Sequence, residues 1–206
     1  LLMPSNRLLK RCFDVVLVVV GGLIALPLLV AIMLAIKLSS RGPIFYKNAR
    51  IGHHGRRFYA WKFRTMVPNA DAFLREYLAR HPERREEWER DLKLKDDPRI
   101  TWVGHILRRS SLDELPQLVN VLKGEMSLVG PRPEQPFLVA RYQPWQRQRL
   151  SVVPGLTGWW QVNGRKQPMH DYVAEDLYYV QHCSFLFDLR ILLYTFRAVL
   201  KADGAV

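Results

Sequence analysis

Residues 13 to 36, FDVVLVVVGGLIALPLLVAIMLAI, constrain this chain more than any other stretch. Their one charge is Asp14, near the start. As an unbroken helix, 24 residues would reach roughly 36 Å, enough to cross a hydrocarbon core of about 30 Å. The run is too long for the apolar core of a cleaved signal peptide, and no small-residue cleavage site follows it. Cations flank both ends: Arg7, Lys10 and Arg11 before it, and Lys37, Arg41, Lys47 and Arg50 after it. Such flanks favour the cytoplasmic side of a membrane, and here both ends ask for it.

Pro27 reconciles the two flanks. It lacks a backbone N–H and crowds the preceding turn, while Leu26 is pushed away from helical geometry. Gly21 and Gly22 soften the segment further. Broken there, the arms hold 14 and 10 residues, roughly 21 and 15 Å, and neither spans alone. The sequence therefore predicts a membrane-anchoring, re-entrant helix–break–helix over residues 1–40, entering and leaving by the cytoplasmic face. The competing reading is a spanning helix kinked at its proline. Asp14, four residues after Lys10 and three after Arg11, is expected in an interfacial ion pair.

The remaining 41–206 read as one integrated α/β unit. IFYKN and RFYAWKF are two strands around ARIGHHGR, a β-hairpin with His53 and His54 in its turn. Histidines in a turn are usually solvated, and metal binding there is the minor reading. From Asn69 a helical pattern runs on, interrupted at Pro82. Arg99 to Arg109 is a short mixed segment. RYQPWQRQRL is basic and aromatic, and VVPGLTGWWQVNGR mixes glycine turns with strand-like residues. Two helices close the chain, the second apolar enough to be buried or to lie against lipid.

With 31 lysines and arginines against 19 acids, the net charge is +12, which favours nucleic acid, anionic lipid or phosphorylated small molecules as partners. Cys12 and Cys183 form no metal-binding spacing, and a reducing compartment is expected. There is no Walker loop and no GxGxxG fingerprint, which argues against ATP or NAD chemistry. The first residue is Leu1, and the chain is open to being part of something longer.

Chemistry concentrates in SSLDELPQLVNVLKGEMSLVGPRP, residues 110 to 133. Ser111 and Glu114 match a capping box, the structural explanation. It leaves Asp113 and Pro116 without a role. A helix start carries partial positive charge, which favours an ionised carboxylate and a phosphate beside it. An ionised Asp113 there is a reasonable nucleophile toward phosphorus. Arg108, Arg109 and Arg132 are placed to grip a phosphate from several sides. A divalent cation, Mg²⁺ above all, would remove the repulsion between carboxylate and pyrophosphate. The residues alone thus indicate phosphoryl transfer at a membrane surface.

KFRTM (62 to 66), SLDELPQLVNVLKGEMSLVGPRP (111 to 133), PGLTGWWQVNGR (154 to 165) and LKADG (200 to 204) together resemble the bacterial sugar transferase family, the monotopic phosphoglycosyl transferases that act on polyprenyl phosphate. The resemblance runs from LLKRCFDVV to the C-terminus. It implies an α/β, mostly α, monotopic membrane protein with a re-entrant helix and amphipathic interfacial helices. The implied reaction moves a sugar-1-phosphate from a UDP-sugar to undecaprenyl phosphate, releasing UMP, as the first membrane step of O-antigen, capsule or exopolysaccharide synthesis.

By motif, Asp113 matches the nucleophile that forms a covalent phosphosugar and touches Mg²⁺. Glu114 matches its partner in ion coordination or proton handling. Lys62, Arg108, Arg132 and Arg165 match residues that bind phosphate, and Asp176 in EDLYYV sits at a further acidic position of the site. Pro27 follows Leu26 where several relatives carry Ser-Pro. PERREEWERDLKLKDDPRIT and LKADGAV look most like the galactose-1-phosphate transferases, with glucose-1-phosphate the rival donor group. Enzymes of that type usually carry an additional N-terminal membrane domain, so the chain is expected to be a catalytic part or a short member. The resemblance places it on the cytoplasmic face of the bacterial inner membrane, with membrane lipid as a partner, and leaves room for a homodimer. Two other classes compete: a basic membrane-surface binding module without catalysis, and a nucleic-acid binder, which has the charge but no recognisable motif.

Overall fold

The computed structural model describes residues 4–91, 94–163 and 172–201. Helix α1 (Pro4–Ser39) leads into an antiparallel hairpin of β1 (Phe45–Ile51) and β2 (Arg57–Phe63). Helices α2 (Ala70–Arg80), α3 (Arg85–Asp91) and α4 (Trp102–Arg109) precede a 3₁₀ turn (Leu112–Gln117) and α5 (Leu118–Lys123). Strand β3 (Ser127–Val129), α6 (Pro136–Val139), a second 3₁₀ turn (Gln146–Ser151), β4 (Gly155–Thr157), α7 (Trp159–Asn163), α8 (Tyr172–His182) and α9 (Phe185–Lys201) complete the order. The architecture is mostly helical, with two small two-stranded pairings.

The expected break at Pro27 is not an interruption: α1 is one helix with the proline inside it. Proline already has a helical φ, and its cost is the lost bond to the carbonyl four residues back together with crowding of that turn. Tertiary packing on both sides of it then outweighs the local cost. Val18 packs with Phe58, Ala60, Val121 and Met126. Beyond the proline, Ile32 and Ile36 pack with Phe63, Val103 and Leu107. Asp14, Val18, Ile32 and Ile36 are all buried, and their spacing puts them on one helical face. The other faces are apolar and open, with Ile24 77 % and Leu38 87 % exposed. Arg7–Ser39 is long and apolar enough to cross a membrane by length and composition.

Asp14 is not in the expected pair with Lys10 or Arg11. Its Oδ2 accepts from Ser127 Oγ at 2.7 Å, because its side chain faces β3 rather than the helix surface. Lys10 donates instead to Asp188 (2.5 Å) and to the Val129 carbonyl (3.1 Å), and Arg11 to the Val121 and Leu122 carbonyls. At the other end, Arg64 donates to the Ser40 and Arg41 carbonyls and to Ser40 Oγ. Both ends of α1 are therefore fastened to the same body.

The hairpin, the interruption at Pro82 and the two closing helices match the sequence reading. Residues 99 to 109 differ, because they contain α4. The Thr101 side chain caps that helix by accepting from Gly104 N–H at 3.0 Å, and Val103 and Leu107 bury its inner face. The parallel contact of β3 with β4 is also new. The backbones of Gly130 and Gly155 meet there, Gly130 N–H reaches the Thr157 carbonyl, and a Cβ on either glycine would collide with the other's backbone. That contact fixes the start of the Pro131–Arg132–Pro133 segment. His53 and His54 stack in the hairpin turn, with His53 Nε2 at 3.2 Å from the Ser151 carbonyl. Cys12 and Cys183 are free thiols.

Candidate active site

Four segments bring their side chains to one place. The 3₁₀ turn carries Asp113 and Glu114, β2 carries Lys62, the end of α4 carries Arg108, and the Pro131–Arg132–Pro133 segment carries Arg132. The turn is entered through Ser111 at φ 57°, a left-handed conformation that costs a non-glycine residue roughly 1 kcal/mol. This reversal sets Arg108 and Asp113 on the same side. It also removes the expected capping box, since the Ser111 side chain makes no capping bond. Glu114 turns to cations instead.

Lys62 Nζ lies 2.7 Å from Glu114 Oε1 and 3.5 Å from Asp113 Oδ2. Arg132 reaches Glu114 from the other side, with Nη2 to Oε1 at 2.7 Å and Nη1 to Oε2 at 3.3 Å. Both oxygens of Glu114 are thereby engaged. Asp113 is 8 % exposed, and its Oδ1 has no hydrogen-bond partner among the described residues. Arg108 donates from Nε to Thr65 Oγ1 at 3.0 Å and turns its charge toward Asp113.

The two carboxyls differ in proton affinity. Burial pushes Asp113 above the ordinary aspartate range, against Lys62 and Arg108, while the Glu114 charge adds to the rise. The helix-end effect read from the sequence does not dominate, because loss of solvent outweighs a partial charge. Glu114 is also penalised by burial, yet Arg132 and Lys62 hold it far below the usual glutamate range. Arg132 is correspondingly raised by Glu114. One carboxylate is held in its ionised form, and its neighbour holds a proton more tightly than an ordinary aspartate.

Asp176, expected among the ligand-binding residues, lies behind them. It is 1 % exposed and bonded to Arg149, and burial pushes its carboxyl up to about 6. Arg149 in turn donates to the Arg132 carbonyl at 2.8 Å. The pair supports the segment that carries Arg132, and the Asp176 carboxylate is turned to Arg149. Arg165 lies outside the described residues.

Arg64, Thr65, Asn120 and Arg149 also build the site and were not singled out by the sequence. Along Lys62–Phe63–Arg64–Thr65 the side chains part in four directions. Lys62 enters the site, Phe63 joins the core, Arg64 holds the end of α1, and Thr65 receives Arg108. The unbroken run of such unlike residues was the available signal. Asn120, fully buried, accepts from Trp61 N–H at 3.0 Å and donates to the Tyr59 carbonyl at 2.8 Å, tying α5 to β2. Arg149 had no sequence signal beyond lying in a basic, aromatic stretch.

The family described as bacterial sugar transferase matches residues 5–202. An undecaprenyl-phosphate galactose phosphotransferase of Salmonella typhimurium is 46 % identical over 202 residues, covering 98 % of this chain and 42 % of the relative. The exopolysaccharide production protein ExoY of Sinorhizobium fredii is 44 % identical over 203 residues, covering 98 % of this chain and 90 % of the relative. A UDP-glucose:undecaprenyl-phosphate glucose-1-phosphate transferase of Escherichia coli is 39 % identical over 203 residues, covering 92 % and 40 %. The chain thus spans about two fifths of some relatives and nearly all of another.

Proposed function

This chain belongs to the bacterial sugar transferase family, and from that premise we propose that it transfers a hexose-1-phosphate from a UDP-sugar to undecaprenyl phosphate, releasing UMP. Galactose-1-phosphate is the favoured cargo, since the relative named for galactose is more similar to this chain than the one named for glucose. Glucose-1-phosphate is the alternative.

The observation that carries the proposal is the unequal state of two adjacent carboxylates. Glu114 is engaged on both oxygens, whereas Asp113 keeps an oxygen without a partner beside Lys62 and Arg108. In the first step Asp113 attacks the phosphorus that bears the sugar. The bond from that phosphorus to the bridging oxygen breaks, and UMP leaves with the electron pair. In the second step an oxygen of the lipid phosphate attacks the same phosphorus, the bond to Asp113 breaks, and the carboxylate is regenerated. Arg108, Lys62 and Arg132 hold phosphate oxygens and offset charge in both steps.

Mg²⁺ is the proposed cofactor. Among the described residues no group of three or more His, Cys, Asp or Glu is arranged to cage a metal. An ion that takes one or two carboxylates and completes its shell with phosphate and water would be held by Asp113 rather than by the engaged Glu114, through the carboxylate oxygen that does not attack. When bound, it neutralises charge between carboxylate and diphosphate.

The proposed setting is the cytoplasmic face of the bacterial inner membrane, in O-antigen, capsule or exopolysaccharide synthesis. Re-entry of α1 is supported by its two fastened ends. A helix crossing the bilayer would carry one end away from the body, yet Val18 and Ile36 both dock on the body around β2. A straight helix would separate them by roughly 27 Å. The β2 positions Phe58 and Phe63 are about 17 Å apart, a shortfall that a bend near Pro27 would take up.

The test is UMP release from a panel of UDP-sugars with undecaprenyl phosphate in detergent, with the peptides weighed after trapping with donor alone. A hexose-phosphate mass on the peptide holding Asp113 is expected. Product without that adduct, together with full turnover of Asp113→Asn, overturns the covalent route.

A further inference from the structure

Arg50 is the cation at this site that sequence motifs did not single out. It lies near the end of β1, opposite Phe58 in the hairpin register. The pairs Tyr46–Lys62, Asn48–Ala60 and Arg50–Phe58 alternate onto one face, so Arg50 and Lys62 point to the same side of the hairpin. The next residue, Ile51, donates its N–H to the Glu134 carbonyl at 2.8 Å. This clamps the Arg50 end of β1 alongside the Pro131–Arg132–Pro133 segment.

A half-buried arginine normally has a carboxylate or carbonyl for its fork. The Arg50 side chain has neither a hydrogen bond nor an ion pair among the described residues. The nearby acids are already taken: Glu114 by Lys62 and Arg132, and Glu134 by Arg149 at 3.8 Å. Burial and the like charge of Arg132 both push Arg50 down from the usual arginine range. Four cations, Arg50, Lys62, Arg108 and Arg132, face three carboxylates, Asp113, Glu114 and Glu134. The net positive charge favours an anion such as a phosphate oxyanion.

We propose that Arg50 is a phosphate-binding residue, forming with Arg132 a two-guanidinium subsite on the Glu114 side of the site. The assignment rests on the phosphoglycosyl transfer reading for which phosphate occupies the subsite, but not for anion binding itself. Two planar forks converging on one group recognise a tetrahedral oxyanion, whether the diphosphate of the donor or the monophosphate of the lipid.

The test uses the full chain in detergent, as wild type, Arg50→Gln and Arg50→Lys. In the first arm, thermal melting is followed with inorganic phosphate and with inorganic pyrophosphate, without donor or lipid. Without anion, Arg50→Gln is expected to melt no lower than wild type, because removing a cation beside Arg132 relieves repulsion. The rise in melting temperature with anion should be lost in Arg50→Gln and reduced in Arg50→Lys, which keeps charge but not the fork. A lower melting point of Arg50→Gln without anion, or an undiminished anion response, overturns the proposal.

In the second arm, KM is measured for donor and lipid separately. A rise of roughly 10- to 100-fold is expected for one substrate, and that substrate identifies the phosphate held. Unchanged KM for both overturns the assignment. If wild type turns over no UDP-sugar at all, the transfer reading fails, while the first arm still decides the role of Arg50.

Discussion

Arg132 grips Glu114 with both arms of its guanidinium, Nη2 to Oε1 at 2.7 Å and Nη1 to Oε2 at 3.3 Å. The Glu114 side chain is 16 % exposed, so the pair is shielded but not sealed. Glu114→Gln therefore leaves two cations without their anion. We expect turnover to fall severely and unfolding stability to drop by about 3 kcal/mol near neutral pH. The folded proton affinity of Glu114 lies below its unfolded one, so its contribution is present above the ordinary glutamate pKa of about 4.3 and fades as pH falls. The gap between variant and wild type should narrow in acid, as measured by denaturant unfolding across pH.

Asp113→Asn is expected to have the opposite effect on stability. Burial raises the folded pKa of Asp113, so the stability carried by its protonated form is full below the ordinary aspartate value of about 3.9 and is lost as pH rises through the folded one. Asn imitates the protonated form. The variant should melt above wild type at neutral pH, with the advantage vanishing in acid, while UMP release falls by about 10³-fold or more.

Lys62→Met should move the pH profile. Lys62 opposes the rise that burial imposes on Asp113, and without it the carboxyl protonates at higher pH. The acid limb of kcat/KM should shift upward, in addition to any loss of rate. An unmoved limb would mean that the group titrating in that limb is not Asp113.

Asn120→Ala tests the scaffold apart from the chemistry. Its amide joins Trp61 N–H, the Tyr59 carbonyl and Glu125 Oε2, and no water reaches the fully buried side chain. A loss of about 1–3 kcal/mol in unfolding stability is expected. Because α5 follows directly on the turn holding Asp113, KM should also rise.

Much of this was legible in the sequence, for local reasons. The hairpin follows from strand-like residues around a glycine turn, and the Asp113–Glu114 pair stands out in a basic chain. What was not legible depends on distant partners. Pro27 looked like a breaker because only its neighbours were visible, whereas the helix is secured by Val18 and Ile36 on strands and helices far along the chain. Asp14 had two adjacent lysine and arginine candidates but found Ser127, 113 residues away. Asp176, in EDLYYV, was expected among the phosphate-binding residues by resemblance, and only the fold reveals that Arg149 links it to the Arg132 carbonyl. The Ser111–Glu114 spacing suits a cap, but the left-handed turn at Ser111 decides otherwise.

The fastening of α1 at both ends has a practical corollary for engineering. Lys10, Arg11 and Asp14 secure one end, Arg64 secures the other, and Val18, Ile32 and Ile36 belong to the interior. The hydrophobic segment is thus a structural wall of the catalytic body and not a detachable tether. Deleting it to obtain a water-soluble enzyme, or exchanging it for an unrelated hydrophobic helix of equal length, would expose that interior and unseat the strand that presents Lys62.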